Sequence, residues 1–257
     1  MVLVVDIGNT NIVIGVFNAD ELKLKFRMAT DRLRTPEEYG FFIKSQFSEA
    51  GLTADSVKHA IVSSVVPQLD FTFKTLIRNL WRIDPLFVSH SMKLNIRFDY
   101  DSPSEIGADR IVNAAAAYHL WPTDLVVLDF GTATTVEFVD RGGVYKGGVI
   151  LPGFNLMKDS LHLRTAKLPD VEVKKPEAIL GRNTIQSIQS GLYYVSVGGL
   201  RYIIDRVRSE YAAQAKIVAT GGLSALLRDD LSLVDQIEPD LTLTGLNFLF
   251  HLNNVQS

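Results

Sequence analysis

Apolar residues fall into short Val/Ile-rich blocks separated by Gly, Asn, Asp or Pro. Blocks of that length and composition, bounded that way, predict β-strands. They lie at 2–6, 12–17, 22–28, 59–65, 85–88, 125–129, 134–139, 144–150 and 216–219. Between them the pattern changes to a helical period. Residues 36–50 open with Pro36, Glu37 and Glu38, as a helix N-terminus favours. Residues 68–82 space Leu69, Phe73, Leu76, Ile77 and Leu80 along one helical face. Residues 107–121 carry an alanine run, and 184–211 predict a long helix interrupted by Gly191, Gly198 and Gly199. Three strands, a helix, a strand, a helix and a strand imply an α/β fold with a mixed sheet.

The opening pattern recurs. "VVDIGNTNIVIGVFN" (4–18) sets beside "VLDFGTATTVEFVDR" (127–141), aligning Asp6 with Asp129, Gly8 with Gly131, Val13 with Val136 and Val16 with Val139. Each copy runs through a polar turn into a third strand. A weaker echo pairs "AIVSSVVP" (60–67) with "KIVATGGL" (216–223). Asp-x-Gly at one strand end is ordinary turn chemistry. Two copies in equivalent three-strand contexts argue for duplication. The expected division is 1–121 and 122–257, at Trp121-Pro122. A cleft between two such halves is the expected place for a ligand.

Composition narrows the classes. The 257 residues are 47% hydrophobic, enough for a substantial core. No apolar stretch of about 20 residues lacks charges, so no membrane span is expected. No basic run precedes an apolar segment at the N-terminus, so no signal peptide is expected. The chain has no cysteine, which removes disulfides, thiolate zinc sites and Cys nucleophiles and fits a cytoplasmic setting. A net charge of −3 argues against a broad nucleic-acid-binding face. The five histidines have no metal-site spacing, and no G-x-S-x-G hydrolase motif is present.

The first hairpin turn carries more chemistry than a turn needs. Gly8 lets a ligand approach the backbone, and Asn9, Thr10 and Asn11 add side-chain donors beside backbone N–H groups. That suits a phosphate, but Asp6 would repel one unless a cation intervenes. Mg²⁺ accepts one or two carboxylates, waters and phosphate oxygens together. In the second turn Gly131, Thr132 and Thr134 offer donors and Asp129 another cation ligand. Two such turns imply a clamp for phosphoryl transfer from a polyphosphate. There is no GxxxxGK[ST] and no GxGxxG opening a helix. "TGGL" (220–223) is either an ordinary strand-to-helix turn or a place where a nucleoside lies against backbone.

"SEIGADRIVNAAAAYHL" (104–120) places Asp109 and Arg110 in the first turn of a helix behind Gly107. An Asp there suits the helix dipole, and an Arg often lies on the surface. A kinase for an alcohol needs a carboxylate to orient or accept the hydroxyl proton, and an acidic substrate needs a cation such as Arg. Tyr100, just upstream, is either a packing residue or part of the same pocket.

Together "DIGNTN" (6–11), "GADR" (107–110), "DFGTATT" (129–135), "GGVILPG" (147–153), "GRNT" (181–184) and "TGG" (220–222) resemble type III pantothenate kinase. That family belongs to the actin/hexokinase/Hsp70 superfamily. The resemblance implies two duplicated ribonuclease-H-like domains with mixed sheets and an interdomain cleft. It implies ATP-dependent phosphorylation of pantothenate to 4′-phosphopantothenate, the first step of coenzyme A synthesis. By it, Asp6, Ile7, Gly8, Asn9, Thr10, Asn11, Ile12 and Val13 hold ATP phosphates, with Asp6 acting through Mg²⁺. Asp109 is the implied general base. Gly107, Ala108, Asp109, Arg110, Tyr100 and Thr184 are implied pantothenate contacts, and Thr132 an ATP contact. Asp129 is the implied ligand of K⁺ or NH₄⁺. A cytoplasmic homodimer is implied, and small residues on the 184–211 helix suit close packing against a partner helix or within the chain. A kinase of another small hydroxy compound and a nucleotide-binding regulator on the same fold are the competing expectations.

Overall fold

The computed structural model describes residues 1–227 and 234–254. They form two compact units, 1–96 with 101–119 and 241–254, and 97–100 with 120–227 and 234–240. Compared with a division at 121/122, the first unit also takes in the last helix. The second takes the short edge strand around residue 97.

In the first unit β1 (Val2–Ile7), β2 (Asn11–Asn18) and β3 (Glu21–Ala29) form an antiparallel meander, and β4 (His59–Ser64) and β5 (Leu86–Phe87) add in parallel. The order is β3-β2-β1-β4-β5. Side chains alternate between faces along each strand. Leu3, Val5 and Ile7, with Ile12, Ile14, Val16 and Val62, face a core built with α1 (Pro36–Glu49) and α2 (Pro67–Trp81). Helix α1 starts with a capping box: Glu38 N–H donates to Thr35 Oγ1, and Thr35 N–H donates to Glu38 Oε2. The opposite sheet face receives α6 (Leu241–Asn254): a Cβ on Gly15 of β2 would lie 3.3 Å from Leu243 Cδ1, and His59 of β4 lies ring to ring with Phe250. Helix α3 (Ala108–Leu120) packs closely on α6, because a Cβ on Gly245 would lie 2.7 Å from Ala116 Cβ.

The second unit repeats the plan. Strands β7 (Leu125–Phe130), β8 (Ala133–Val139) and β9 (Val144–Pro152) form the meander, and β10 (Lys216–Thr220) and β11 (Gln236–Ile237) add in parallel beside β7. The order β11-β10-β7-β8-β9 matches the first sheet strand for strand, and β6 (Arg97–Phe98) extends it at the β9 edge. Helices α4 (Phe154–Arg164) and α5 (Thr184–Glu210) cover a core of Val126, Leu128, Phe130, Val136 and Phe138. The expected duplication is therefore present as topology.

The structure departs from the sequence expectation in four respects. The two-residue strands β6 and β11 are too short for a periodicity to reveal. Helices α4 and α6 also escape the sequence pattern, α6 because it is apolar nearly all round (LTLTGLNFLFHLNN). Helix α5 runs unbroken through Gly191, Gly198 and Gly199. The ungapped repeat alignment is displaced beyond the turn. Three residues, Gly8-Asn9-Thr10, connect β1 to β2, but only Gly131-Thr132 connects β7 to β8. Asp6 accordingly pairs with Val13, whereas Asp129 pairs with Thr135. Val136 lies opposite Leu128 and belongs to the core, so it is not the counterpart of Val13.

Candidate active site

The first turn is closed by a Gly8 N–H to Asn11 O hydrogen bond of 3.0 Å. A Cβ on Gly8 would lie 2.9 Å from that same oxygen, so the turn requires glycine. Asn9, Thr10 and Asn11 are exposed, and Asp6 is half-buried. Ile7 and Ile12 are fully buried with their side chains in the core, so toward a ligand they present backbone alone. Val13 is half-buried beside Asp6 on the same sheet face.

A latch that the motifs do not reveal holds this turn. Thr30, just past β3, donates from Oγ1 to Gly8 O at 2.6 Å and from its N–H to Thr10 O at 3.0 Å. The next residue, Asp31, donates its N–H to Tyr39 Oη, and Tyr39 Oη donates to Asp31 O at 2.7 Å. Burial raises the Tyr39 hydroxyl above the usual phenol range, so it keeps the proton it donates. Arg32 donates to Asn9 Oδ1 at 3.2 Å, which brings a cation to the turn. The sequence signal was the polar run after β3, "TDR" (30–32), which has no apolar periodicity to read.

Asp109 lies in the same unit, in the first turn of α3. Its Oδ1 accepts from Arg110 N–H at 2.7 Å, so the carboxylate is folded over the helix start. A Cβ on Gly107 would lie 2.6 Å from that oxygen and 3.3 Å from Val65 Cγ1, just past the end of β4. Gly107 O accepts from Ile111 N–H and begins the helix. Ala108 is buried. Arg110 is 9% exposed, a buried guanidinium rather than a surface cation.

Tyr100, Asp129, Thr132 and Thr184 belong to the second unit. There the three glycine motifs meet at one turn. Gly131 N–H donates to Ala133 O, and Gly153 N–H donates to Thr132 O at 3.2 Å. A Cβ on Gly153 would collide with the backbone of Gly131 and Thr132, so the start of α4 sits directly on the turn. Gly221 has φ +89°, and a Cβ there would lie 2.6 Å from both Asp129 Oδ1 and Phe130 N. "TGG" is thus pressed against "DFG". The chain then enters a short 3₁₀ turn, 224–227, and residues 228–233, into which the suggested helix would run, lie outside the described residues. Tyr100 packs edge-on against Tyr145, with a Cβ on Gly147 only 3.7 Å from its ring. Lys146 bonds Asp99 at 2.9 Å and fixes the segment that carries Tyr100; that bond raises the Lys146 pKa. Thr184 is the first residue of α5, behind the Asn183 cap.

Among the described residues, no three His, Cys, Asp or Glu side chains converge on a metal position. A cation at Asp6 would therefore take its other ligands from water and phosphate. That donor set fits Mg²⁺, which holds several waters and prefers carboxylate and phosphate oxygens.

Two mixed sheets of equal strand order, each with a carboxylate and a glycine turn at its central hairpin, define the actin-like ATPase and kinase fold class. Solved structures agree at the level of fold. A protein from Sinorhizobium meliloti described as a 2-dehydro-3-deoxygalactonokinase aligns with TM-score 0.66 at 12% identity, over 100% of this chain and 98% of its own. A Campylobacter jejuni protein described as a Baf family transcriptional activator aligns with TM-score 0.62 at 20% identity, over 98% of each chain. A Porphyromonas gingivalis protein described as an N-acetylglucosamine kinase aligns with TM-score 0.51 at 13% identity, over 99% of each chain. A sequence model of type III pantothenate kinase matches residues 2–206. The chain belongs to that family and is a phosphotransferase.

The Gly107 geometry yields a separation of stability from activity. Gly107 has no positive φ, and the atom that a new methyl would meet is the end of the Asp109 side chain. Gly107→Ala should change unfolding free energy by less than about 1 kcal/mol in urea titrations. With Asp109 as the expected general base, a carboxylate displaced by an ångström should lower kcat by about 10²-fold in an ADP-release assay. A kcat near that of the unsubstituted enzyme would mean that the Asp109 position is not critical.

Proposed function

We propose that the protein transfers the γ-phosphoryl group of ATP to pantothenate, giving 4′-phosphopantothenate and ADP. The family match over 2–206 supports this most directly. The carboxylate held over Gly107 supplies the acceptor chemistry.

In this reading residues 6–13 cradle the ATP phosphates. Gly8, Asn9, Thr10 and Asn11 offer N–H and side-chain donors, and Ile7, Ile12 and Val13 complete the turn and its flanks. Asp6 and the nucleotide phosphates hold Mg²⁺, which neutralises charge on the phosphates. Asp109 accepts the proton of the pantothenate hydroxyl. The hydroxyl oxygen forms a bond to the γ-phosphorus as the bond to the bridging oxygen of ADP breaks. Gly107, Ala108, Arg110, Tyr100 and Thr184 bind pantothenate, with Arg110 taking its carboxylate. Thr132 contacts ATP, and Asp129 binds K⁺ or NH₄⁺.

The enzyme acts in this reading as a cytoplasmic homodimer. Ile185, Val195 and Tyr202 are exposed apolar residues on α5, and Gly191, Gly198 and Gly199 there have no neighbour that a Cβ would meet. A second copy of α5 is the occupant that such a surface suits.

ADP release from Mg²⁺-ATP should depend on pantothenate and not on glucose, glycerol or acetate, with the phosphorylated product seen by mass. Asp109→Asn should lower kcat by about 10²-fold or more with ATP binding unchanged. Nucleotide binding without turnover of any acceptor would favour a regulator, and turnover of another alcohol a different kinase. Replacing K⁺ by Na⁺ should lower the rate, and equal rates would remove Asp129 as a monovalent-cation ligand. Val195→Glu should yield monomers by light scattering, and an unchanged dimer would move the interface elsewhere.

A further inference from the structure

Two adjacent serines end β4, and they face opposite ways. Ser64 points to the α2 side, where its Oγ donates to Asp70 Oδ1 at 2.5 Å and accepts from Val66 N–H at 3.2 Å. Its role is accounted for by the start of α2. Ser63 points to the other face. It is 0% exposed, and its Oγ is buried with no hydrogen-bond partner. A buried hydroxyl without a partner destabilises the fold, and native structures hold few of them.

The register says what lies beside it. Ser63 pairs with Asp6, and Asp6 with Val13, so the three share one row on one sheet face. Two residues beyond Ser63, Val65 lies against Gly107, over which the Asp109 carboxylate is folded. The second unit places a hydroxyl at the same point. Thr220 of β10 pairs with Asp129 of β7 and is 2% exposed. In each unit a buried hydroxyl residue on the parallel neighbour stands beside the hairpin carboxylate. A simple packing role does not ask for this at Ser63, since alanine would fill nearly the same space and leave no orphan oxygen.

We propose that Ser63 is a positioning residue for the divalent cation of the nucleotide, its hydroxyl accepting a hydrogen bond from a water bound to the cation at Asp6. This rests on the kinase reading and deepens it. The missing partner arrives with the metal and nucleotide, and the hydroxyl then fixes the orientation of the cation's water shell. Such outer partners commonly tune metal affinity as strongly as some direct ligands do.

The test compares Ser63→Ala with Ser64→Ala. Without ligands, Ser63→Ala should melt at or above the unsubstituted protein, because it removes an unpaired buried oxygen. Ser64→Ala should melt lower, because it removes the link to Asp70. With a non-hydrolysable ATP analogue, Mn²⁺ titrations read by melting temperature and by electron spin resonance of free Mn²⁺ should show half-saturation raised about tenfold in Ser63→Ala. The same titration should be unchanged in Ser64→Ala. Unaltered Mn²⁺ affinity in Ser63→Ala would overturn the proposal. So would a lowered melting temperature or failure to fold in that variant, since either would show a structural partner, and so would an equal loss of affinity in Ser64→Ala. The binding readout needs no acceptor, so the failure of pantothenate as substrate would remain a separate result.

Discussion

The position of Asp6 is set by the register of β1 between β2 and β4. In a strand with one face committed to a core, a slip of one residue exchanges the faces. Here a slip would withdraw Leu3, Val5 and Ile7 from the core of α1 and α2. Val2 and Val4 on the opposite face are buried too, so the heaviest cost of a slip is the turning of the Asp6 carboxylate into the apolar layer under α1 and α2. The same commitment directs Val2, Val4 and Asp6 to the other face, where the valines are buried and Asp6, near the strand's end, is half-buried. An apolar layer under α1 and α2 that has no place for a carboxylate thus fixes where one charge stands. The turn after it needs only local bonds to complete the arrangement, and Thr30 and Tyr39 supply them from outside the motif.

Glycines recur where a carboxylate must lie close to backbone. Gly107 admits Asp109, and Gly221 admits Asp129. The two cases differ in what a methyl would disturb. At Gly107 the obstacle is a side chain that can rotate away. At Gly221 the backbone at Phe130 is as near as the carboxylate, and φ is positive besides. The first glycine therefore governs the direction of the Asp109 carboxylate, while the second holds two segments of the fold together. Equivalent-looking motif glycines carry different physical roles.

Much of this was legible from residue order. The Val/Ile blocks gave the meanders and their parallel partners because strands of five or more residues leave a periodic trace. Asp6, Gly8 and Asn9 stood out because a hairpin turn does not require them together. Helix α6 left no trace, since a helix apolar on nearly every face has no amphipathic period to detect. Val136 is not the counterpart of Val13 because the second turn is one residue shorter, and in a strand a one-residue offset reverses which side chains face the core. Ser63 gave no signal at all. "SS" before "VVP" reads as polar punctuation, and only the sheet register separates the serine that bonds Asp70 of α2 from the one beside Asp6.

That separation bears on how the duplicated fold diverged. Both units kept a carboxylate on the central strand and a hydroxyl residue on its parallel neighbour, Ser63 beside Asp6 and Thr220 beside Asp129. The turn changed, and so did the residues that press on it. The first turn is longer by one residue, exposes Asn9, Thr10 and Asn11, and is braced from the side by a latch. The second is shorter and is packed by Gly153 and Gly221 on its own backbone. A longer, exposed turn presents more donors to a polyanion, and a shorter, crowded one holds its carboxylate against backbone. One hairpin plan therefore yields two chemically different ends, with the difference lying in one residue of turn length and the glycines around it.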